Sequence, residues 1–138
     1  MGLRVNNPLA QDTDATALTA FNTDGFSLGD NSTGSNATNR SGSKTYVSWA
    51  WKAGGSPSTV TDGMTQISDT SVNSNISRSV NTTAKCSIFT YTGTGNASKI
   101  QHGLGVTPDM FWIKCRDTTQ GWHVWHKDMD TTNKGYII

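Results

Sequence analysis

The sequence predicts an all-β protein built on antiparallel sheet, and three observations predict it. All ten acidic residues are Asp, with no Glu anywhere, and Leu is scarce. Ser, Thr and Asn are abundant instead. Glu and Leu are good helix formers, whereas Ser, Thr and Asn compete with the helical backbone for its hydrogen bonds and Thr suits a pleated surface. Third, β-branched and aromatic runs alternate with Gly, Asn, Asp and Pro from Cys86 to Lys127, which is the order of strands divided by turns.

At 138 residues and 14.8 kDa the chain fits one module, long enough to bury about two thirds of its unfolded surface. The hydrophobic fraction is 33%, with 14 glycines beside it. That total falls below the usual share of about 45–50%, so the core should be thin and sheet-based. Charged residues make up 15% and the net charge is +1. A charge so low offers no field for nucleic acid or an anionic membrane. Met1 to Asn7 holds no apolar signal region, and no apolar run reaches the length needed to span a bilayer.

Taken in order, Leu3-Arg-Val is a short strand candidate, and 10–21 reads as a loop or brief helical turn. Gly25-Phe-Ser-Leu-Gly sets Phe26 and Leu28 on one face of a short strand. The polar run from Asp30 to Ser43 is a surface loop. Thr45 to Trp51 alternates cleanly, with Val47, Trp49 and Trp51 on one face, and is the best strand of the N-terminal half; Lys52-Ala-Gly-Gly stops it. Ser56 to Asn81 is polar with spaced Val, Met and Ile, which reads as an extended arm or weak edge strands able to meet a partner.

From Lys85 the chain is denser in apolar residues. Ser87 to Tyr91 is a strand, Thr92-Gly-Thr-Gly-Asn a turn, Lys99-Ile-Gln-His a short strand, and Gly103 to Asp109 a second turn around Pro108. Phe111-Trp-Ile is apolar on both faces. The adjacent strand places Trp122, Val124 and His126 opposite His123 and Trp125, with Asp117 to Gly121 as the hairpin loop between the two. Gly135-Tyr-Ile-Ile begins one more strand.

Residues that could carry chemistry are few. Cys86 and Cys115 read as two buried thiols or as one bridge between adjacent strands. A zinc site would need both cysteines and two of His102, His123 and His126, whose spacing fits no finger or ribbon. The acid pairs Asp12 with Asp14 and Asp128 with Asp130 share a face if extended, but turn Asp residues usually cap backbone amides. Neither a nucleophile elbow nor a metalloprotease helix motif occurs. Calcium ligation by Asp12, Asp14 or the Asp24–Asp30 segment lacks any EF-hand spacing. The sequence therefore predicts a protein without catalysis, metal or cofactor. Asn31, Asn36, Asn75 and Asn81 stand in acceptor sequences for N-glycosylation, expected by chance in so Asn-, Ser- and Thr-rich a chain.

Several stretches together resemble a repeat module of tail-fibre-like virion structural proteins of marine bacteriophages, cyanophages among them. They are Phe21 to Gly29, Tyr46 to Gly55, Asn81-Thr-Thr-Ala, Ser87 to Gly95, His102-Gly-Leu-Gly-Val-Thr-Pro, Lys114-Cys-Arg-Asp and Gly121-Trp-His-Val-Trp-His-Lys. The chain departs from the pattern at Lys85, Cys86, Cys115, His123 and Trp125. The resemblance implies a β-sandwich of jelly-roll, lectin-like type, used in a virion or other extracellular setting for assembly or attachment to a host surface. It also implies division into the rear half of one repeat (1–55), a polar connecting arm (56–84) and the front half of the next (85–138), whether the chain is a short natural protein or a window on a longer one. Partners would be other virion proteins or copies of itself, usually as a trimer. The alternative is a lectin-like glycan-binding module, with Trp112, Trp122, Trp125 and His123 as the candidates for stacking on sugar rings and bonding their hydroxyls. The competing fate of each Trp is a place in the core.

Overall fold

Residues 49–108 form a compact unit in which one strand is clamped on both faces by neighbouring segments of chain. The computed structural model describes Pro8, Ala10, Gln11 and residues 17–30, 38–129 and 135–137. Among these there are nine strands and no helix, and every strand pairing is antiparallel. The all-β, sandwich-type expectation holds. The chain divides into two compact units, one of Met1–Ser48 with Asp109–Ile138 and the other of Trp49–Pro108.

The second unit is a four-stranded sheet of β3 (Ser58–Gln66), β4 (Asn73–Asn81), β5 (Cys86–Thr90) and β6 (Ser98–Ile100), in the order β5-β4-β3-β6. Its turns are built by side chains that mimic backbone. Asp69 accepts from the Ser71 amide (3.0 Å) and hydroxyl (2.6 Å), closing the β3–β4 connection. Asn81 Oδ1 accepts from the amides of Thr83 (3.1 Å) and Ala84 (2.9 Å), closing the β4–β5 turn, where Lys85 takes the left-handed conformation. The Ser71 hydroxyl, then the Ser71 amide, favour the charged form of Asp69 and lower its pKa.

Register divides the side chains cleanly. Val60, Met64, Ile76, Arg78, Val80, Ser87, Phe89 and Ile100 share one face, and Thr59, Ser77, Ser79, Asn81, Cys86, Ile88 and Thr90 share the other. Between Val60 and Met64 strand β3 carries an irregularity, with Asp62 at φ 52° and its amide donating to Asn75 Oδ1 at 3.2 Å. Gly63 sits there so close to Ile76 that any side chain would strike it. A bulge of this kind sharpens local twist and bend.

Each face is then covered. Over the apolar face passes the chain leaving β6: Gln101 donates to Gly63 O (2.8 Å), Arg78 Nη1 donates to Gln101 O (2.8 Å), and Ser87 Oγ donates to His102 O (2.6 Å). Gly103, at φ +77°, lies against the Arg78 guanidinium, and Leu104 is buried. Over the polar face passes the segment Lys52–Gly55. Ser79 Oγ donates to Gly55 O (2.7 Å), Asn81 Nδ2 donates to Lys52 O (3.0 Å), and Gly54 packs onto the main chain of Val80.

Two expectations are corrected in this unit. The stretch 56–81 is no arm or weak edge: it supplies the two central strands of the sheet. Its Ser79 and Asn81 hold the Lys52–Gly55 segment, while Met64 and Ile76 on the opposite face are buried. The cleanest alternation, Thr45 to Trp51, forms no strand. The residues that follow Trp51 dock on the face of the sheet, not beside one of its edges. Trp49 and Trp51 are 72% and 74% exposed.

The first unit holds a hairpin of β1 (Leu18–Asn22) and β2 (Gly25–Leu28), closed by Thr23 and Asp24 with Gly25 at positive φ. The expected loop or helical turn over 10–21 is therefore strand from Leu18 onward, because Phe21 pairs with Phe26 across that hairpin. A second sheet runs β7 (Met110–Ile113), β8 (Trp122–His126) and β9 (Gly135–Ile137). Pro8 and Gln11 lie along the β7–β8 loop, where Gln11 N donates to Arg116 O (2.9 Å) and Gln120 N to Pro8 O (2.8 Å). The expected strand Leu3-Arg-Val lies outside the described residues.

The clamp predicts two stability losses, each measurable by urea unfolding. Gly54→Ala would place a methyl 2.4 Å from Val80 N and O; its expected cost is about 1–3 kcal/mol, the range for overpacking, or more if the segment lifts off. Ser79→Ala leaves Gly55 O without its donor, and its expected cost is also about 1–3 kcal/mol.

Candidate functional site

The aromatic side chains singled out in the sequence all lie on β7 and β8, and strand geometry decides which of them meet. Successive residues of a strand point to opposite faces. Register pairs Phe111 with Trp125, Trp112 with Val124, and Ile113 with His123. Trp112 and Trp122 consequently share one face with Val124, in an edge-on contact with centroids 6.0 Å apart and planes at 78°. Trp125 shares the other face with His123 and stacks on Phe111 at 5.3 Å and 17°. Such pairs add about 0.5–1.5 kcal/mol beyond the area they bury.

The four expected residues are thus split two and two across the sheet and do not converge on one ligand. Val124 is buried, and Trp112 remains 46% exposed on edge strand β7. Trp122 and His123 have further interactions of their own.

The other candidates are equally dispersed. His102 Nδ1 accepts from the Leu104 amide at 3.2 Å and helps shape its loop. The same histidine lines a shallow, open depression with Gly105, Val106, Thr107 and Pro108, which offers no carboxylate, cysteine or second histidine. His126 lies 3.7 Å from Asp128, and Lys127 lies 3.2 Å from Asp109, both at exposed positions. Among the described residues no three His, Cys, Asp or Glu side chains are grouped to hold a metal ion. Asp12, Asp14 and Asp130 lie outside the described residues, as do Asn31 and Asn36. Asn75 Oδ1 accepts from the Asp62 amide, and Asn81 Nδ2 donates to Lys52 O.

Both cysteines are free thiols, Cys86 half-buried and Cys115 exposed. Cys115 is the more distinctive, because Sγ lies 3.2 Å from Thr118 Oγ1. Its thiol is held below the ordinary range, first by the Thr118 hydroxyl and then by the amides of Asp117 and Thr118, with the Asp117 charge opposing them. The sequence carried no sign of this, since the shift comes from how the β7–β8 loop folds back on itself.

The model of a family described as a domain of unknown function, DUF7483, matches residues 1–138. The chain belongs to the DUF7483 family. No curated protein and no solved structure matches it. This DUF7483 domain leaves aromatic and aliphatic side chains exposed, and among the described residues no helix is long and apolar enough to cross a membrane.

The Cys115 arrangement predicts a thiol that alkylates at lower pH than a free cysteine. In Thr118→Val the midpoint of the iodoacetamide rate against pH should rise toward the ordinary thiol value, read by mass spectrometry of the modified peptide; an unchanged midpoint would remove the hydroxyl as the cause.

Proposed function

We propose that this DUF7483 domain is a non-enzymatic structural module of a phage virion, part of a tail fibre or other surface appendage, working outside the cell by assembly and by attachment to a host surface. The observation that carries this reading is the thinness of the core. In the 49–108 unit the buried large apolar side chains are Met64, Ile76 and Leu104, while Trp49, Trp51, Ile67, Val72, Ile88 and Val106 are exposed. A unit of about 60 residues is marginal even with a well-filled core. Large apolar side chains left outside in that number suit a surface that is covered in an assembled particle. The likeness of seven sequence stretches to fibre-like virion modules supports the same reading.

A glycan-binding role has one observation in its favour, the exposure of Trp112 on an edge strand. An aromatic ring there can stack on a sugar. On that reading the binding surface is the Trp112–Trp122 face alone, without Trp125 or His123.

Sedimentation velocity across micromolar concentrations tests the assembly reading, with a concentration-dependent gain in mass as the expected result; a strict monomer would count against it. A glycan array tests the alternative. Binding lost in Trp112→Ala but kept in Trp125→Ala would favour attachment through sugar, whereas signal unchanged by Trp112→Ala would exclude that face.

A further inference from the structure

The sheet of the 49–108 unit has two edges, and they are unequal. Strand β6 is three residues long and carries Lys99 at its centre, two features that blunt an edge. Strand β5 is five residues long, Cys-Ser-Ile-Phe-Thr, with no charge, proline or glycine. It pairs with β4 residue for residue and without a bulge. Its only strand neighbour among the described elements is β4, and its outward backbone groups have no main-chain partner among the described hydrogen bonds. Ile88, at its midpoint, is 61% exposed.

An uncovered edge with regular geometry and no charged guard is a template for another strand. We infer that β5 pairs antiparallel with β5 of a second copy of this chain, about a two-fold axis at Ile88, joining two four-stranded sheets into one of eight strands. The inference rests on the assembly reading and names its contact. What selects a copy as partner is the pattern on both faces. The two-fold register sets Ile88 against Ile88, Ser87 against Phe89, and Cys86 against Thr90, so apolar groups meet apolar or neutral ones throughout. Like charges oppose one another nowhere in that register, and a net charge of +1 gives two copies little repulsion at a distance. Phe89, tilted against Tyr91 at 6.3 Å within its own chain, becomes a diagonal neighbour of its symmetry mate, within reach for aromatic rings. Five residues on each side bury less than the roughly 1,200 Å² of the smallest standard interfaces, so the pairing is reversible and depends on concentration. A closed, self-complementary contact of this kind stops at two copies.

The test uses the full chain. Ile88→Lys, at an exposed position that leaves the fold intact by circular dichroism, should weaken association at least tenfold in sedimentation. In a Cys86→Ser, Cys115→Ser background, Ile88→Cys should oxidise to a disulfide-linked dimer. Directly opposed residues of antiparallel strands lie about 4.5–5.5 Å apart between Cα atoms, within the range a disulfide spans. Ile67→Cys, also exposed but off this edge, should form no such dimer in the same background. If Ile88→Lys associates as the unaltered chain does, or if Ile88→Cys cross-links no better than Ile67→Cys, the edge pairing is overturned and the assembly reading stands. If the unaltered chain is monomeric throughout, both fall.

Discussion

Arg78 and Ser79 are consecutive residues of β4, so they point to opposite faces of the sheet, and each holds a covering segment by a main-chain carbonyl. The rest of the 49–108 unit depends on that pair of clamps. Arg78 fixes the loop that carries buried Leu104, and Ser79 fixes the segment that carries Gly54 onto Val80. Hydrogen bonds from charged groups contribute about 1.5–3 kcal/mol and neutral ones about 1. In a unit with three buried large apolar side chains these bonds add materially to hydrophobic burial.

That balance explains the composition. A sheet whose second face is closed by hydroxyl and amide side chains needs Ser and Asn where a conventional sandwich has Val and Leu. No buried side-chain polar atom lacks a partner among the described residues, so the polar face costs no unmet hydrogen bond. Low hydrophobic content therefore coexists with a defined fold.

The class of fold, the Gly25–Leu28 strand and the segments from Ser87 to His126 were legible in the sequence, because turn residues and alternation there agree with the pairing that forms. Two misreadings share one cause. Alternation reports which side chains share a face, but it says nothing of whether a ladder partner is free. Thr45 to Trp51 alternates and pairs with no strand, whereas the polar stretch 56–81 supplies two central strands with partners on both sides. The division of the candidate aromatic residues has a related reason: Trp122 and Trp125 are three apart, an odd offset that sends them to opposite faces of β8. The low-lying Cys115 thiol could not have been read at all, since it depends on a loop conformation that brings Thr118 to the sulfur.

The covering segments are gripped by their carbonyls, and every amino acid has one. Lys52 and Ala53 lend the clamp only main-chain oxygen, so the bonds from Asn81 do not depend on which side chains those two positions carry. Gly54 and Gly103 have no such latitude, because a β-carbon at Gly54 would collide with the Val80 main chain and Gly103 holds a left-handed φ of +77°. Substitution can therefore alter the chemistry of the covering segment at Lys52 and Ala53 while Gly54 and Gly103 hold the architecture.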